Sequence, residues 1–204
     1  AAIVLTYSRS GGIALAVALL LTFLRGQARG KGLVLAGLAL LAVLALAPKT
    51  FWARQGTIAE YEEDPSFQGR ERAYAMLQII FEERPLTGVG AGAFLDAWTR
   101  YAPLRALGQR LIAHNIFMEI LGELGIAALL LFAAFCAWLL GRLWRAGAEP
   151  DGVAARALFA GLAGYLVCEL VNGYSRSFNL YAAFGVGVAI LIQARLRRRL
   201  ADGA

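Results

Sequence analysis

Charged residues are scarce in this sequence. Only 17% of the 204 residues are Asp, Glu, Lys or Arg, whereas 59% are hydrophobic and the mean hydropathy is +0.61. A soluble domain has about a quarter charged residues and about half apolar ones. The apolar residues also occur in long blocks, whereas a soluble core of this size would spread them as amphipathic stripes. The composition therefore excludes an ordinary soluble domain and indicates an integral membrane protein.

Cysteine and histidine are also rare, and their placement gives no pattern of metal ligands. Cys136 and Cys168 lie inside apolar segments, which is typical of small buried hydrophobic residues and not of a disulfide or a metal pair. His114 is the single histidine, and the acidic run at residues 60–64 resembles a solvated loop. We therefore expect neither a bound metal ion nor a cofactor.

The apolar blocks predict an all-α fold, a polytopic bundle of transmembrane helices. The chain begins Ala-Ala-Ile-Val-Leu, which is not a signal peptide and resembles the end of a helix. We therefore expect residues 1–204 to be the C-terminal part of one integral membrane domain with further helices before it. A polar loop at residues 49–113 separates the second predicted helix from the third. The predicted helices cover about residues 11–24, 32–47, 115–140, 153–171 and 178–193.

The basic residues, which give a net charge of +6, lie mainly at the ends of the apolar blocks. This placement is typical of membrane topology and disfavours a nucleic-acid partner. The basic connections at residues 25–31 and 142–156 and the tail after residue 193 would share one side, which the positive-inside rule makes cytoplasmic. Long loops have little weight in this rule. The sequence thus predicts that the loop at residues 49–113 is extracytoplasmic.

The long loop contains an amphipathic segment and a glycine-rich segment. Residues 66–83 are predicted to form a short helix that could lie in the membrane interface, because apolar residues recur at helical spacing and Pro85 follows. Gly88, Gly90 and Gly92 come next, with a spacing that differs from a dinucleotide-binding fingerprint. These glycines fit either a tight turn or a backbone surface that approaches a phosphate closely.

His114, where the polar loop meets the third predicted helix, is the first candidate for catalysis. An imidazole is the side chain best suited to accept a proton near neutral pH, although a lone histidine is often structural. Arg9 precedes an apolar helix and is either an interfacial anchor or a fixed cation for a pyrophosphate. Arg70 and Arg72, on the same predicted side, are either surface charges or part of the same anion site. Together these residues indicate an anionic substrate at the membrane surface.

Three glutamates, Glu119, Glu123 and Glu169, lie within predicted helices near their outer ends. Ionisable groups inside a membrane usually face a cavity or a partner. Asn115, Glu119 and Glu123 recur on one face of the third predicted helix. They either pack between helices or orient a substrate.

Several short motifs follow one another in a characteristic order. They are Ser8-Arg9-Ser10-Gly11, Gly69-Arg70 followed by Tyr74, the run Pro85-Leu86-Thr87-Gly88-Val89-Gly90-Ala91-Gly92-Ala93-Phe94, His114-Asn115 with Glu119, and Gly122-Glu123-Leu124-Gly125. The ordered set resembles the O-antigen ligase and polymerase superfamily over residues 1 to about 140. Two departures are minor, since Tyr74 stands where tryptophan is common and Ser10 stands where glycine is common.

The resemblance implies an inverting, metal-independent glycosyltransferase of the bacterial inner membrane, with its active-site loop on the periplasmic side. Such an enzyme moves a glycan from undecaprenyl pyrophosphate to a hydroxyl of lipid A core, a polysaccharide or a protein, in the synthesis of cell-surface polysaccharides such as lipopolysaccharide. By this resemblance Arg9 and Arg70 would bind the pyrophosphate, and His114 would act at the acceptor hydroxyl. Further residues expected at the substrate are Arg72, Ser8, Asn115, Glu119, Gly88 and Gly90.

Other functions fit the same sequence. An O-antigen polymerase and a protein O-oligosaccharyltransferase share the motifs, and a membrane transporter of a small anion is the alternative from another class. A transporter places its ionisable residues near the membrane midplane, often on broken helices. Here the candidates crowd the predicted outer surface, which favours the enzyme.

The predicted topology is testable by cysteine labelling. In a variant without the native cysteines, a cysteine at Ser66 is expected to react with an impermeant thiol reagent in intact spheroplasts, because residues 49–113 are predicted to face outward. A cysteine at Gln27 is the control and is expected to react only after the cells are opened. Reversed labelling would contradict the topology and an outward-facing site.

Overall fold

The computed structural model describes residues 9–25, 34, 37, 38, 41, 65–102, 108, 110–172 and 177–202. The helices along the described chain are α1 (Arg9–Arg25), α2 (Pro65–Glu83), α3 (Phe94–Tyr101), α4 (Ile116–Ala146), α5 (Val153–Asn172) and α6 (Phe178–Asp202). No strand occurs in these described ranges. The all-α prediction is confirmed.

The observed helices follow the sequence prediction in most places. α2 coincides with the helix predicted at residues 66–83, and α5 with the one at residues 153–171. α4 and α6 continue beyond the predicted ends of the segments at residues 115–140 and 178–193. The helix predicted at residues 32–47 lies largely outside the described residues. α3 was not predicted.

Three helices are long and apolar enough to cross a membrane: Ile116–Ala146, Val153–Val171 and Phe178–Leu200. Crossing a bilayer takes about 20 mostly apolar residues. The bilayer interior also demands that every backbone polar group be paired within the protein, which an α-helix achieves by itself. α1 is apolar but shorter. Length and composition therefore identify α4, α5 and α6 as candidate membrane spans.

The chain forms two compact units. Unit 1 comprises residues 1–51, 135–168 and 177–204, and unit 2 comprises residues 52–134 and 169–176. α4 therefore contributes its first part to unit 2 and its second part to unit 1.

Within unit 1, small residues let helices approach closely. A methyl group at Gly164 of α5 would meet the Ala14 carbonyl oxygen of α1 at 2.5 Å, which is closer than van der Waals contact allows. At the end of α1, the Arg25 guanidinium lies 3.6 Å from the centroid of the Trp144 ring on α4. A cation over an aromatic face is attracted by the negative charge of that face. Close packing and this contact join α1 to its neighbours.

Unit 2 has its core between α2, α3 and the segment before α4. The buried side chains recur every three or four positions on each helix, so each helix presents one apolar face to the core. The Trp98 indole N–H donates a 2.8 Å hydrogen bond to the Leu111 carbonyl, which ties α3 to the segment before α4. The buried core residues are Ala73, Met76, Leu77, Ile80, Phe94, Ala97, Trp98, Tyr101 and Ala113.

α4 is broken at Gly125. Its φ of 80° and ψ of −178° lie in a region that essentially only glycine adopts. The break interrupts the ladder of helical hydrogen bonds, and the loop at residues 85–90 docks there. Three backbone hydrogen bonds join them: Val89 N–H to the Gly122 carbonyl at 2.9 Å, Gly90 N–H to the Glu123 carbonyl at 2.8 Å, and Ile126 N–H to the Pro85 carbonyl at 2.9 Å.

Gly125→Ala is expected to destabilise the protein for two reasons. This backbone conformation costs alanine about 1–3 kcal/mol, and the added methyl group would overlap the Leu86 carbonyl. The midpoint of thermal unfolding in detergent should fall. Gly141→Ala is the matched control on the same helix, since a methyl group there has open space around it and alanine favours a helix. An equal midpoint for both variants would show that the break does not require glycine.

Candidate active site beside Arg70 and His114

The start of α2 and the segment before α4 lie side by side in unit 2. A methyl group at Gly69 would lie 3.8 Å from the Leu111 Cδ1 atom, an ordinary van der Waals contact. Ala113 is only 1% exposed and belongs to the core. His114 follows it and is close enough to Arg70 to be affected by its charge. The fold therefore brings together two candidate residues that are far apart in the sequence.

The backbone of His114 is in the left-handed region, with a φ of 52°. It is the one residue other than glycine with a positive φ in the described part of the chain. This conformation costs on the order of 1–3 kcal/mol and persists only where the surroundings determine it, although histidine adopts it more readily than most residues. The segment before α4 therefore holds His114 in a defined, strained position.

The pKa of the His114 imidazole is lowered from its ordinary value of 6.5. Burial is the larger cause, because the charged imidazolium loses its contact with water. The positive charge of Arg70 is the second cause and acts in the same direction. His114 is therefore mainly a neutral imidazole at neutral pH.

Two buried nitrogen atoms of this pair, Arg70 Nε and His114 Nδ1, have no hydrogen-bond partner among the described residues. A buried polar atom without a partner costs about 1–3 kcal/mol, so such atoms in a folded protein call for an explanation. The Arg70 Nε–H can only donate, whereas His114 Nδ1 donates or accepts according to the tautomer. An anion beside Arg70 and a hydroxyl group beside His114 would match these atoms.

Three other predicted site residues have defined positions. Asn115 is the N-cap of α4, since its Oδ1 accepts hydrogen bonds from the N–H groups of Phe117 at 3.0 Å and Met118 at 3.3 Å. Glu119 lies one turn later and is buried. Arg72 is half-buried on α2. Substrate contact by these three residues stays a prediction.

The N–H groups of the glycine-rich segment are used within the protein. They donate from Gly88 to the Arg84 carbonyl at 3.0 Å, from Gly90 to the Glu123 carbonyl at 2.8 Å, and from Gly92 to the Glu123 carboxylate at 2.7 Å. A phosphate would have to compete with these acceptors. The contacts favour a tight, docked turn, and substrate binding by Gly88 and Gly90 stays a prediction.

Arg9 is the first residue of α1, but its side chain lies outside the described part of the structure, and so does all of Ser8. Their expected contact with a pyrophosphate is untested. In the ranges that are described, no group of three or more His, Cys, Asp or Glu side chains could hold a metal ion.

Glu123 and Trp98 make specific hydrogen bonds that the sequence pattern did not predict. Glu123 is 3% exposed, and its carboxylate accepts hydrogen bonds from the N–H groups of Gly92 and Phe94. The Trp98 indole N–H donates a hydrogen bond to the Leu111 carbonyl. The signal that could have revealed α3 is the helical spacing of its buried face, Phe94, Ala97, Trp98 and Tyr101.

A sequence model that describes O-antigen ligases matches residues 1–133 of this chain. The matched part is more than half of the 204 residues and includes Arg70, His114 and Glu123. The chain belongs to the O-antigen ligase family. No curated protein and no solved structure matches it.

Membership in the O-antigen ligase family confirms the superfamily expected from the motifs. It identifies the chain in general terms as an O-antigen ligase-like glycosyltransferase that works in a membrane context on lipid-linked glycan. The three apolar helices agree with that context. The Arg70–His114 pair is then the candidate active site of this O-antigen ligase family member.

Arg70→Ala is expected to raise the pKa of His114, because it removes one of the two causes that lower it. The pKa should stay below 6.5, since burial is the larger cause. An NMR titration of the single histidine ring measures this directly. Arg100→Ala is the control, because Arg100 is an exposed arginine paired with Glu83, and it should leave His114 unchanged. The same pKa in wild type and Arg70→Ala would show that the two side chains do not interact.

Proposed function

We propose that the protein transfers a glycan from undecaprenyl pyrophosphate to an acceptor hydroxyl, with inversion at the anomeric carbon and without a metal ion. The observation that carries this proposal is the pairing of Arg70 with His114. It combines a guanidinium, a neutral imidazole of lowered pKa, and two buried nitrogen atoms without partners in the described part of the chain. Membership in the O-antigen ligase family supports lipid-linked glycan as the substrate class.

Arg70 is proposed to bind the pyrophosphate, because a guanidinium matches two phosphate oxygens in bidentate geometry. As the acceptor oxygen attacks the anomeric carbon, the bond from that carbon to the phosphate oxygen breaks. Undecaprenyl pyrophosphate leaves with the bonding electron pair. A fixed cation stabilises the negative charge as it develops on the leaving group. Arg9 is proposed as a second ligand of the pyrophosphate.

His114 is proposed to accept the proton of the acceptor hydroxyl as the new glycosidic bond forms. A base must be neutral before it acts, and the lowered pKa keeps the imidazole neutral at neutral pH. The direction of the shift sets the pH dependence. Transfer should persist as the pH falls below 6.5 and decline only as it passes through the lower pKa of His114.

The remaining assignments concern the substrate surroundings and the membrane. Arg72, Ser8, Asn115 and Glu119 are proposed to contact the donor or the acceptor. The loop at residues 49–113 is proposed to face the periplasm from the bacterial inner membrane. The acceptor is proposed to be a hydroxyl of lipid A core, of a growing polysaccharide or of a protein.

A transfer assay tests the proposal. The purified protein is incubated with a lipid-linked glycan and, in separate reactions, with lipid A core, polysaccharide or protein acceptor. Transfer to one acceptor class is expected. His114→Ala should lower turnover by about 10²–10⁴-fold, the usual contribution of a general base, while binding of the lipid-linked donor stays near normal.

His114→Gln separates a base from a hydrogen-bond donor, because glutamine donates a hydrogen bond but cannot accept a proton near neutral pH. A glutamine variant with most of the wild-type turnover would show that His114 positions a substrate and is not the base. Arg100→Ala serves as the surface control and should transfer normally. If the wild-type protein transfers glycan to none of the three acceptors, the proposed function is contradicted.

A further inference from the structure

We propose that Glu123 is a positioning residue: its carboxylate fastens α3 to α4, and α3 in turn holds His114 beside Arg70 through Trp98. The inference deepens the proposed function and rests on it for the role of the Arg70–His114 pair. Its test measures the pKa of the imidazole, which responds to a change in its position, and needs no glycan transfer.

The first link is the hydrogen bonding of Glu123. One carboxylate oxygen accepts the Gly92 N–H at 2.7 Å, and the other accepts the Phe94 N–H at 3.2 Å. Phe94 is the first residue of α3 and Gly92 lies two residues before it, near the helix end where the dipole is positive and favours a negative charge. Hydrogen bonds to an ionised acceptor are roughly twice as strong as neutral ones. The buried carboxylate therefore fixes the beginning of α3 against α4.

The second link runs from α3 to the segment that carries His114. Trp98 lies one turn after Phe94, is buried, and donates its indole N–H to the Leu111 carbonyl at 2.8 Å. Ala113, two residues after Leu111, is part of the same core as α3. A displacement of α3 would therefore move the segment that ends in His114.

The backbone of His114 explains why this position needs support. Its positive φ is strained and holds only while both sides of the residue are fixed. On one side, the Asn115 cap fixes the start of α4. On the other side, the Trp98–Leu111 hydrogen bond fixes the preceding segment. Loss of the second anchor would let the imidazole move into water and away from Arg70.

The decisive variant is Glu123→Gln. A glutamine has one acceptor oxygen and one NH₂ group in place of two acceptor oxygens. It can therefore accept the Gly92 N–H or the Phe94 N–H, but not both. The pKa of His114, measured by NMR titration of the detergent-solubilised protein, is expected to rise toward 6.5. Loss of the negative charge itself would act in the opposite direction and lower that pKa. A rise therefore reports release of the imidazole.

Two further variants complete the experiment. Glu82→Gln is the matched control, since it makes the same chemical change at an exposed residue of α2 whose carboxylate accepts only a side-chain hydrogen bond from Gln78 in the described structure. It should leave the pKa of His114 unchanged. Trp98→Phe keeps a buried ring but removes the indole donor, and it should raise the pKa as Glu123→Gln does. It decides the question if circular dichroism shows that Glu123→Gln does not fold.

An unchanged or lowered pKa of His114 in folded Glu123→Gln would overturn the inference, and so would an unchanged pKa in Trp98→Phe. These results are independent of the transfer assay. A wild-type protein without transferase activity would contradict the proposed function but not the positioning role. A normal transferase with unshifted His114 in both variants would contradict the positioning role alone.

Discussion

The break in α4 at Gly125 is the constraint on which unit 2 depends. An unbroken helix would direct the carbonyls of Gly122 and Glu123 to N–H groups one turn later, and the break leaves them to other donors. The loop at residues 85–90 supplies those donors, so the loop and the broken helix satisfy each other's backbone groups.

Close approach at the joint explains the glycines on both of its sides. A side chain at Gly88 would overlap the Gly122 carbonyl and the Glu123 backbone, and one at Gly122 would overlap the Leu77 side chain. The positive φ of Gly88, 60°, adds a conformational reason at that position. The glycine-rich run thus lets the two backbones pack closely, and the Glu123 carboxylate beside it adds a charged contact.

The sequence predicts the helices of this fold better than the break within α4. α2 and the apolar helices follow from residue spacing and length, because both signals are local. The break at Gly125 does not follow from these local signals, because α4 is apolar before and after it and glycine within a helix is often tolerated. α3 is missed because it is short and follows a glycine-rich turn. The pairing of Arg70 with His114 depends on the packing of Leu111, and no periodic pattern encodes that contact. The predicted topology placed both residues on the outer side, and the family resemblance assigned them to one site.

Under the proposed mechanism, the charge of Arg70 has two consequences that follow each other in time. Before the donor binds, it lowers the pKa of His114 and keeps the imidazole neutral, but it also makes that imidazole a weaker base. A bound pyrophosphate would offset the guanidinium charge, and an anion beside an imidazole raises its pKa. The basicity of His114 would then increase only when the donor is in place. Burial, the larger cause of the lowered pKa, would remain and would keep the imidazole from gaining a proton from water first. The same pair of side chains would thereby couple proton acceptance to the presence of the lipid-linked glycan.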